Sequence, residues 1–248
     1  MLNLPYRKNR PMQFKKYIPN IITLLNLFCG CIAIIFVTQK NFQLAFFFVS
    51  LGIFLDFFDG FFARLFQVSS PLGLQLDSLA DMVTSGLVPG FTMFVLLANF
   101  DIETPEFFPY LGFVITLGAC YRLANFNIDV RQSDSFIGLP TPANALLILS
   151  VPLILEEDNY HFISELLTST WFLLLLTALS TFMMNAEIAL FSLKIKKLNF
   201  KDNSLQIVFL LLSILLLFFF HFLGVALVIL MYVLLSYIQN NLIRPVKK

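Results

Sequence analysis

Charge is what this sequence lacks most. Only 12% of its 248 residues are Asp, Glu, Lys or Arg, against about 25% in an ordinary soluble domain. With 58% hydrophobic residues and 31 phenylalanines, a chain this size cannot hide its apolar side chains in a water-surrounded core. The expected solvent is lipid. Cysteine is scarce too. Cys29, Cys31 and Cys120 lie in apolar stretches, and their odd number argues against a disulfide scaffold. The C-x-C pair has no second Cys/His pair to complete a zinc site, so all three are expected to be small packing residues. The two histidines, His161 and His221, look incidental. No repeat and no low-complexity linker divides the chain, so one domain is expected over 1–248. No nucleic-acid partner is expected. The start, MLNLPYRKNRPMQFKKYIPN, is basic but lacks an apolar stretch ending in a cleavage site, so no removable signal peptide is expected.

What is present is a series of apolar runs near the ~20 residues that a helix needs to span a membrane. The runs are 18–37, 42–66, 75–98, 107–126, 141–155, 170–190, 205–219 and 222–238. They predict an all-α integral membrane bundle of about eight helices. The last two form one stretch broken by His221 and Gly224. As a single helix at about 1.5 Å per residue it would far exceed a ~30 Å hydrocarbon core, so a helical hairpin is expected. Charge placement supports the count. With eight spans, every basic residue except Lys40 falls on one side: Arg7, Lys8, Arg10, Lys15, Lys16, Arg64, Arg122, Arg131, Lys194, Lys196, Lys197, Lys201, Arg244, Lys247 and Lys248. The opposite side collects Asp101, Glu103, Glu106, Glu156, Glu157, Asp158 and Glu165. Because cytoplasmic loops are enriched in Lys and Arg, both termini are expected in the cytoplasm, the chain lying in the inner or cytoplasmic membrane.

The chemistry is concentrated in LDFFDGFFARLFQVSSPLGLQLDSLADMVTSG, where Asp56, Asp59, Asp77 and Asp81 stand in or beside apolar spans. One charge near the bilayer centre costs between ~3 and more than 10 kcal/mol, so four carboxylates require something to neutralise them. Asp56, Asp59, Gly60, Ala63 and Arg64 share one helix face by spacing. Asp77 and Asp81 are one turn apart on the next helix, and Gly73 precedes them. Ser69, Ser70, Pro71 and Gly73 supply turn chemistry between the two helices, and so short a connection makes them antiparallel neighbours. The converging carboxylates suit hard divalent cations, Mg²⁺ or Mn²⁺. Two such ions would neutralise four aspartates and clamp a diphosphate. Gly60 and Ala63 leave the face open to a bulky ligand. A structural salt bridge to Arg64, or an ion pathway in a divalent-cation transporter, is the competing reading of the same carboxylates.

The eight residues Asp56, Asp59, Gly60, Ala63, Arg64, Gly73, Asp77 and Asp81 fill D-x2-D-G-x2-A-R-x8-G-x3-D-x3-D without departure. In this the chain resembles the CDP-alcohol phosphotransferases. The resemblance implies a six-helix catalytic core, two divalent metals and a CDP-linked donor. It implies Asp81 as general base, and Asp56, Asp59 and Asp77, with Asp81 also in reach, as metal ligands. Asp56, Gly60, Ala63, Arg64 and Gly73 would line the nucleotide site. Family members often pair, so a homodimer is implied too.

Further stretches resemble the phosphatidylserine synthase branch. PNIITLLNLFCG at Pro19–Gly30 is similar to its P-N-x-x-T-x-x-N-x-x-x-G opening, which implies Asn20 and Thr23 at the CDP end. Gly118–Asp129 resembles its R-x-A-R-F-N segment, with Asn125 where the second arginine stands. Phe136–Ala145 resembles F-x-G-L-P-x-P-A-A, with Asn144 at an alanine position; Pro140 and Pro142 alone would simply start a helix. Arg122, as a bidentate fork, suits serine or the lipid phosphate, with Asn125 beside it. The expected reaction is CDP-diacylglycerol plus L-serine giving phosphatidylserine and CMP in membrane lipid. A sister enzyme using glycerol 3-phosphate or inositol phosphate is the nearest alternative. The expected organisation is a basic segment 1–17, a catalytic core 18–190 and two added helices in 205–240. Glu187 is read as a carboxylate within the sixth span without an assigned role. Phe57, Phe58, Phe61 and Phe62 line a lateral entrance for the donor or face lipid.

Overall fold

The computed structural model describes residues 17–68, 70–100, 105–129, 136–157, 161–191 and 203–239. The basic clusters at 7–16, 194–201 and 244–248, with Arg131, Asp101, Glu103, Asp158 and Ser69, lie outside the described residues. The architecture is helical throughout: α1 (Ile18–Thr38), α2 (Phe42–Phe66), α3 (Pro71–Asp81), a π-helical stretch (Met82–Leu87), α4 (Val88–Phe100), a 3₁₀ stretch (Phe108–Phe113) leading into α5 (Val114–Ile128), α6 (Thr141–Glu156), α7 (His161–Thr168), α8 (Thr170–Asn185) and α9 (Ser204–Ile238). Two short strands, β1 (Phe136–Ile137) and β2 (Ala189–Leu190), pair antiparallel.

Five helices are long and apolar enough to cross a membrane, or six if the α7–α8 pair, bent by 80°, is one span. The chain is therefore a multi-pass membrane protein. Each apolar run read from the sequence is helical over most of its length. The run at 75–98 belongs to a longer segment, Pro71–Asn99, which starts earlier because Ser70 Oγ accepts the Gly73 N–H at 3.0 Å and Pro71 follows as the first helical residue. The run at 170–190 is overestimated. α8 stops at Asn185, and 189–190 is strand. Glu187 thus lies past the helix end and not inside a span. α9 reverses at His221, whose φ of 45° and ψ of −117° are non-helical. A Cβ on Gly224 would lie 3.0 Å from the Leu217 Cα, an approach that a straight helix forbids, so the stretch is the expected hairpin.

The interior divides into layers. One apolar cluster joins Met93 and Leu97 of α4, Ile115 and Ala119 of α5, Ile148 and Val151 of α6, Leu173 of α8 and Ile229 of α9. A second joins Ala33 and Val37 of α1, Ala45 and Val49 of α2, Val88 of α4, and Ala145 and Leu149 of α6. α6 contributes to both, and its central residues are almost all buried. It is the pillar about which the other helices stand. Of the cysteines, only Cys29 packs inside; Cys31 and Cys120 are exposed, and all three are free.

Candidate active site at the α2–α3 corner

α2 ends at Gln67 in the left-handed conformation, φ 54°, and Ser70 opens α3. The carboxylates on the last turns of α2 and the middle of α3 are thereby brought face to face. One oxygen from each of Asp56, Asp59 and Asp77 lies within 4.8 Å of the others. Asp59 is buried, and Asp56 and Asp77 are half-buried. Asp56 Oδ1 is buried without a hydrogen-bond partner. A buried acceptor left unsatisfied costs ~1–3 kcal/mol, more when charged. Three carboxylates at this separation repel unless a cation lies between them. The orphaned oxygen and the all-oxygen donor set therefore fit a hard divalent ion.

The fourth aspartate stands beside the three, within electrostatic reach of Asp56, Asp59 and Asp77. Asp81, one turn beyond Asp77, is outside the three-carboxylate group and is held by α1: Asn26 Nδ2 donates to Asp81 Oδ1 at 3.1 Å. α1 also holds the cluster itself, because the Thr23 hydroxyl donates to Asp59 Oδ2. Asn20, Thr23 and Asn26 recur every three residues and form one polar stripe on an apolar helix. Asn20 reaches the neighbourhood of Gly73, where a Cβ would lie 3.2 Å from its Oδ1. Asn26 was not singled out from the sequence, although it is the second asparagine of the P-N-x-x-T-x-x-N stretch and its place in the stripe was a usable signal. It is fully buried, and its main-chain carbonyl accepts from Thr84 Oγ1 at 3.1 Å.

Glycines explain how α1, α2 and the π-helical stretch come so close. A Cβ on Gly52 would sit 2.7 Å from Asn26 Oδ1 and 2.8 Å from Thr84 Cγ2, so any side chain there would push the asparagine off Asp81. Gly60 differs. Its added Cβ would meet only the Arg64 guanidinium, at 3.8 Å. Protein packing does not require that glycine, which directly follows Asp59. Ala63 is half-buried and Arg64 is exposed on the last turn of α2. Arg64 folds back over Gly60, so it is no buried ion-pair partner for the carboxylates. Phe54, Phe57 and Phe61 point outward, and Phe54, Phe58, Phe62 and Phe66 follow one another in a row of ring contacts along α2 with centroids 4.7, 6.1 and 5.6 Å apart. The α-helix gives way to a π-helix directly after Asp81, a distortion that recurs at functional sites.

Arg122 lies in α5, buried at 8% exposure, and not at a helix end. It is within electrostatic reach of Asp81. With Asn125 it lines a cavity of about 340 Å³ whose opposite wall includes Asn185 and Glu187.

The CDP-alcohol phosphatidyltransferase family profile matches residues 16–184. The chain is 39% identical over 140 residues to the CDP-diacylglycerol–serine O-phosphatidyltransferase of Bacillus subtilis, a match covering 54% of this chain and 75% of that protein. It is 36% identical over 151 residues to the Helicobacter pylori protein of the same name, covering 58% of this chain and 60% of the relative. Against the Saccharomyces cerevisiae protein of that name it is 35% identical over 153 residues, covering 54% and 53%. The profile spans more than half of the sequence and takes in both the carboxylate cluster and Asp81. This chain belongs to the CDP-alcohol phosphatidyltransferase family.

Proposed function

We propose that the protein transfers the phosphatidyl group of CDP-diacylglycerol to the hydroxyl of L-serine, giving phosphatidylserine and CMP. The observation that carries this is the convergence of Asp56, Asp59 and Asp77 with Asp81 beside them, held by Asn26, in a chain similar to several serine phosphatidyltransferases. Asp56, Asp59 and Asp77 would hold two divalent cations, Mg²⁺ or Mn²⁺, with Asp81 at their edge. When bound, the metal supplies neutralising charge and Lewis-acid polarisation to the diphosphate. Asn20, Thr23, Gly60, Ala63, Arg64 and Gly73 surround the nucleotide end of the donor. Asp81, oriented by Asn26, takes the proton from the serine hydroxyl as that oxygen bonds to the lipid-bearing phosphorus. The bond from phosphorus to the CMP oxygen breaks, and CMP carries away the electron pair. Arg122 and Asn125 stand on the acceptor side.

The basic loops put both termini and the site's opening on the cytoplasmic face of the cell membrane, where serine and CMP are soluble. The outward phenylalanines of α2 let the donor's acyl chains stay in lipid. Residues 18–190 form the catalytic core, and 205–240 add a hairpin that packs on it within one domain, which works as a homodimer.

The test is CMP release by purified protein in detergent with CDP-diacylglycerol and Mn²⁺ or Mg²⁺, acceptors added one at a time. Release with serine, lost in Asp81→Asn, is the expected result. Release with glycerol 3-phosphate or inositol phosphate instead would keep the site and overturn the acceptor. Metal flux in liposomes without CMP release from any alcohol would replace the enzyme by a transporter.

A further inference from the structure

α7 and α8 are bent by 80° from one another, and the break has a local cause. Ser169 is extended, with ψ 121°, so one helix stops at Thr168 and the next starts at Thr170. Along α8, Trp171, Leu175, Leu179 and Phe182 are exposed at three- and four-residue spacings, a stripe that faces lipid. With α8 tilted from the bilayer normal by the usual ~20°, α7 lies within about 30° of the membrane plane.

The residues of α7 divide as that position requires. At about 100° per residue, Phe162, Ile163, Leu166 and Leu167 fill one continuous arc, and His161, Ser164, Glu165 and Thr168 fill the other. The apolar arc has two halves. Leu167 is buried and Ile163 half-buried, both packed on the cluster shared by α4, α5, α6 and α8. Phe162 and Leu166 are exposed, at 79% and 42%.

The neighbours of α7 mark its level. Trp171, the only tryptophan in the chain, is exposed and meets the Phe108 ring edge-on at 6.0 Å. Tyr110, also exposed, stands on the same 3₁₀ stretch as Phe108. Trp and Tyr concentrate where hydrocarbon meets headgroups. The adjoining helix ends are polar: Lys40 Nζ donates to Asn99 Oδ1 at 2.8 Å, and Gln43 Nε2 to Glu156 Oε2 at 3.3 Å. α2 starts at this end and carries Asp56 and Asp59 toward its other end.

We propose that α7 is an interfacial helix that rests on the lipid at the end of the bundle away from the carboxylates. Phe162 and Leu166 dip into the boundary between headgroups and hydrocarbon, and Glu165 faces water. α7 contains no Lys or Arg, so its partner is the apolar boundary of a phospholipid leaflet and not the charge of anionic headgroups. The inference stands apart from the proposed reaction.

The single tryptophan provides the test. Full-length protein is reconstituted in phosphatidylcholine vesicles brominated either near the headgroups or near the chain ends, and tryptophan emission is read. Shallow bromines should quench Trp171 at least about twofold more than deep ones, as expected for a side chain ~5–10 Å into the headgroup boundary. A second reporter, Phe162→Trp in Trp171→Phe protein, should give the same shallow depth, because a helix in the membrane plane keeps its two ends level. If that variant does not fold, Leu166→Trp on the same exposed arc takes its place. Anionic phosphatidylglycerol or added salt should change neither depth. Deep quenching at either position would make α7 and α8 one broken span or a re-entrant helix and overturn the inference. Absence of quenching at the α7 reporter would put that helix off the lipid and overturn it as well, and a depth that follows lipid charge would overturn the apolar partner.

Discussion

The segment Pro71–Asn99 and the hairpin Ser204–Ile238 are both apolar enough to cross a membrane, but they do opposite things. In the first, 56% of the most apolar window is buried inside the protein; in the second, 11%. The hairpin is the more apolar of the two, and its first arm turns large side chains outward, including Leu210, Phe218 and Phe219. The first segment is punctuated by Asp77, Asp81, Thr84, Ser85 and Gly86, and of its polar side chains Thr84, Ser85 and Thr92 are fully buried. In lipid the hydrophobic effect between helices is absent, and close packing and polar contacts take over. Large apolar residues therefore stand on both the inside and the lipid-facing outside of this protein, whereas small and polar residues such as Thr84, Ser85 and Gly86 mark where helices pack closely.

That contrast can be broken in several ways. The largest effect is expected from Asp81→Asn, which removes the proton acceptor and should lower CMP release by roughly 10²–10⁴-fold, with an unchanged melting temperature in detergent as the control. Chelating divalent metal with EDTA should abolish CMP release, and added Mn²⁺ or Mg²⁺ should restore it; activity that survives chelation would leave the three-carboxylate cluster without a role. Asn26→Ala frees Asp81 from α1. A displaced catalytic group costs up to about 10²-fold, and kcat should fall by a factor of that order or less while the CDP-diacylglycerol KM changes little. Gly52→Val forces a side chain between Asn26 and Thr84. Overpacking of this kind costs ~1–3 kcal/mol, to be read as a lower melting temperature together with reduced activity. Phe218→Ala, on the lipid face of the hairpin and 72% exposed, should shift stability by less than about 0.5 kcal/mol. A larger loss there would show that this face is covered, as it would be in a homodimer.

Much of this was legible in the residues. Apolar runs near 20 residues long forced helices, because a backbone in lipid must satisfy its own hydrogen bonds. The three- and four-residue spacings of the aspartates put them on shared faces, since a helix repeats every 3.6 residues. Ser70 and Pro71, read from the sequence as turn residues ahead of a span starting at 75, instead cap and open α3, whereas His221 with Gly224 announced the hairpin by the excess length around them. These are short-range or one-dimensional constraints, and a sequence states them directly.

Other features needed the third dimension. Only packing put Asp81 against Asn26, 55 positions away. Only packing revealed that Gly52 is squeezed by Asn26 and Thr84, whereas Gly60 stood out already in the sequence as a motif residue that leaves its helix face open. The sixth apolar run hid the end of α8, because hydropathy does not register the backbone bonds that tie 183–190 to 136–139. Glu187, read from the sequence within a span, instead lies past the end of α8, on the wall of the cavity that Arg122 also lines. Contacts between residues far apart in sequence depend on which helix faces meet, and that is decided by the fit of whole helices to one another.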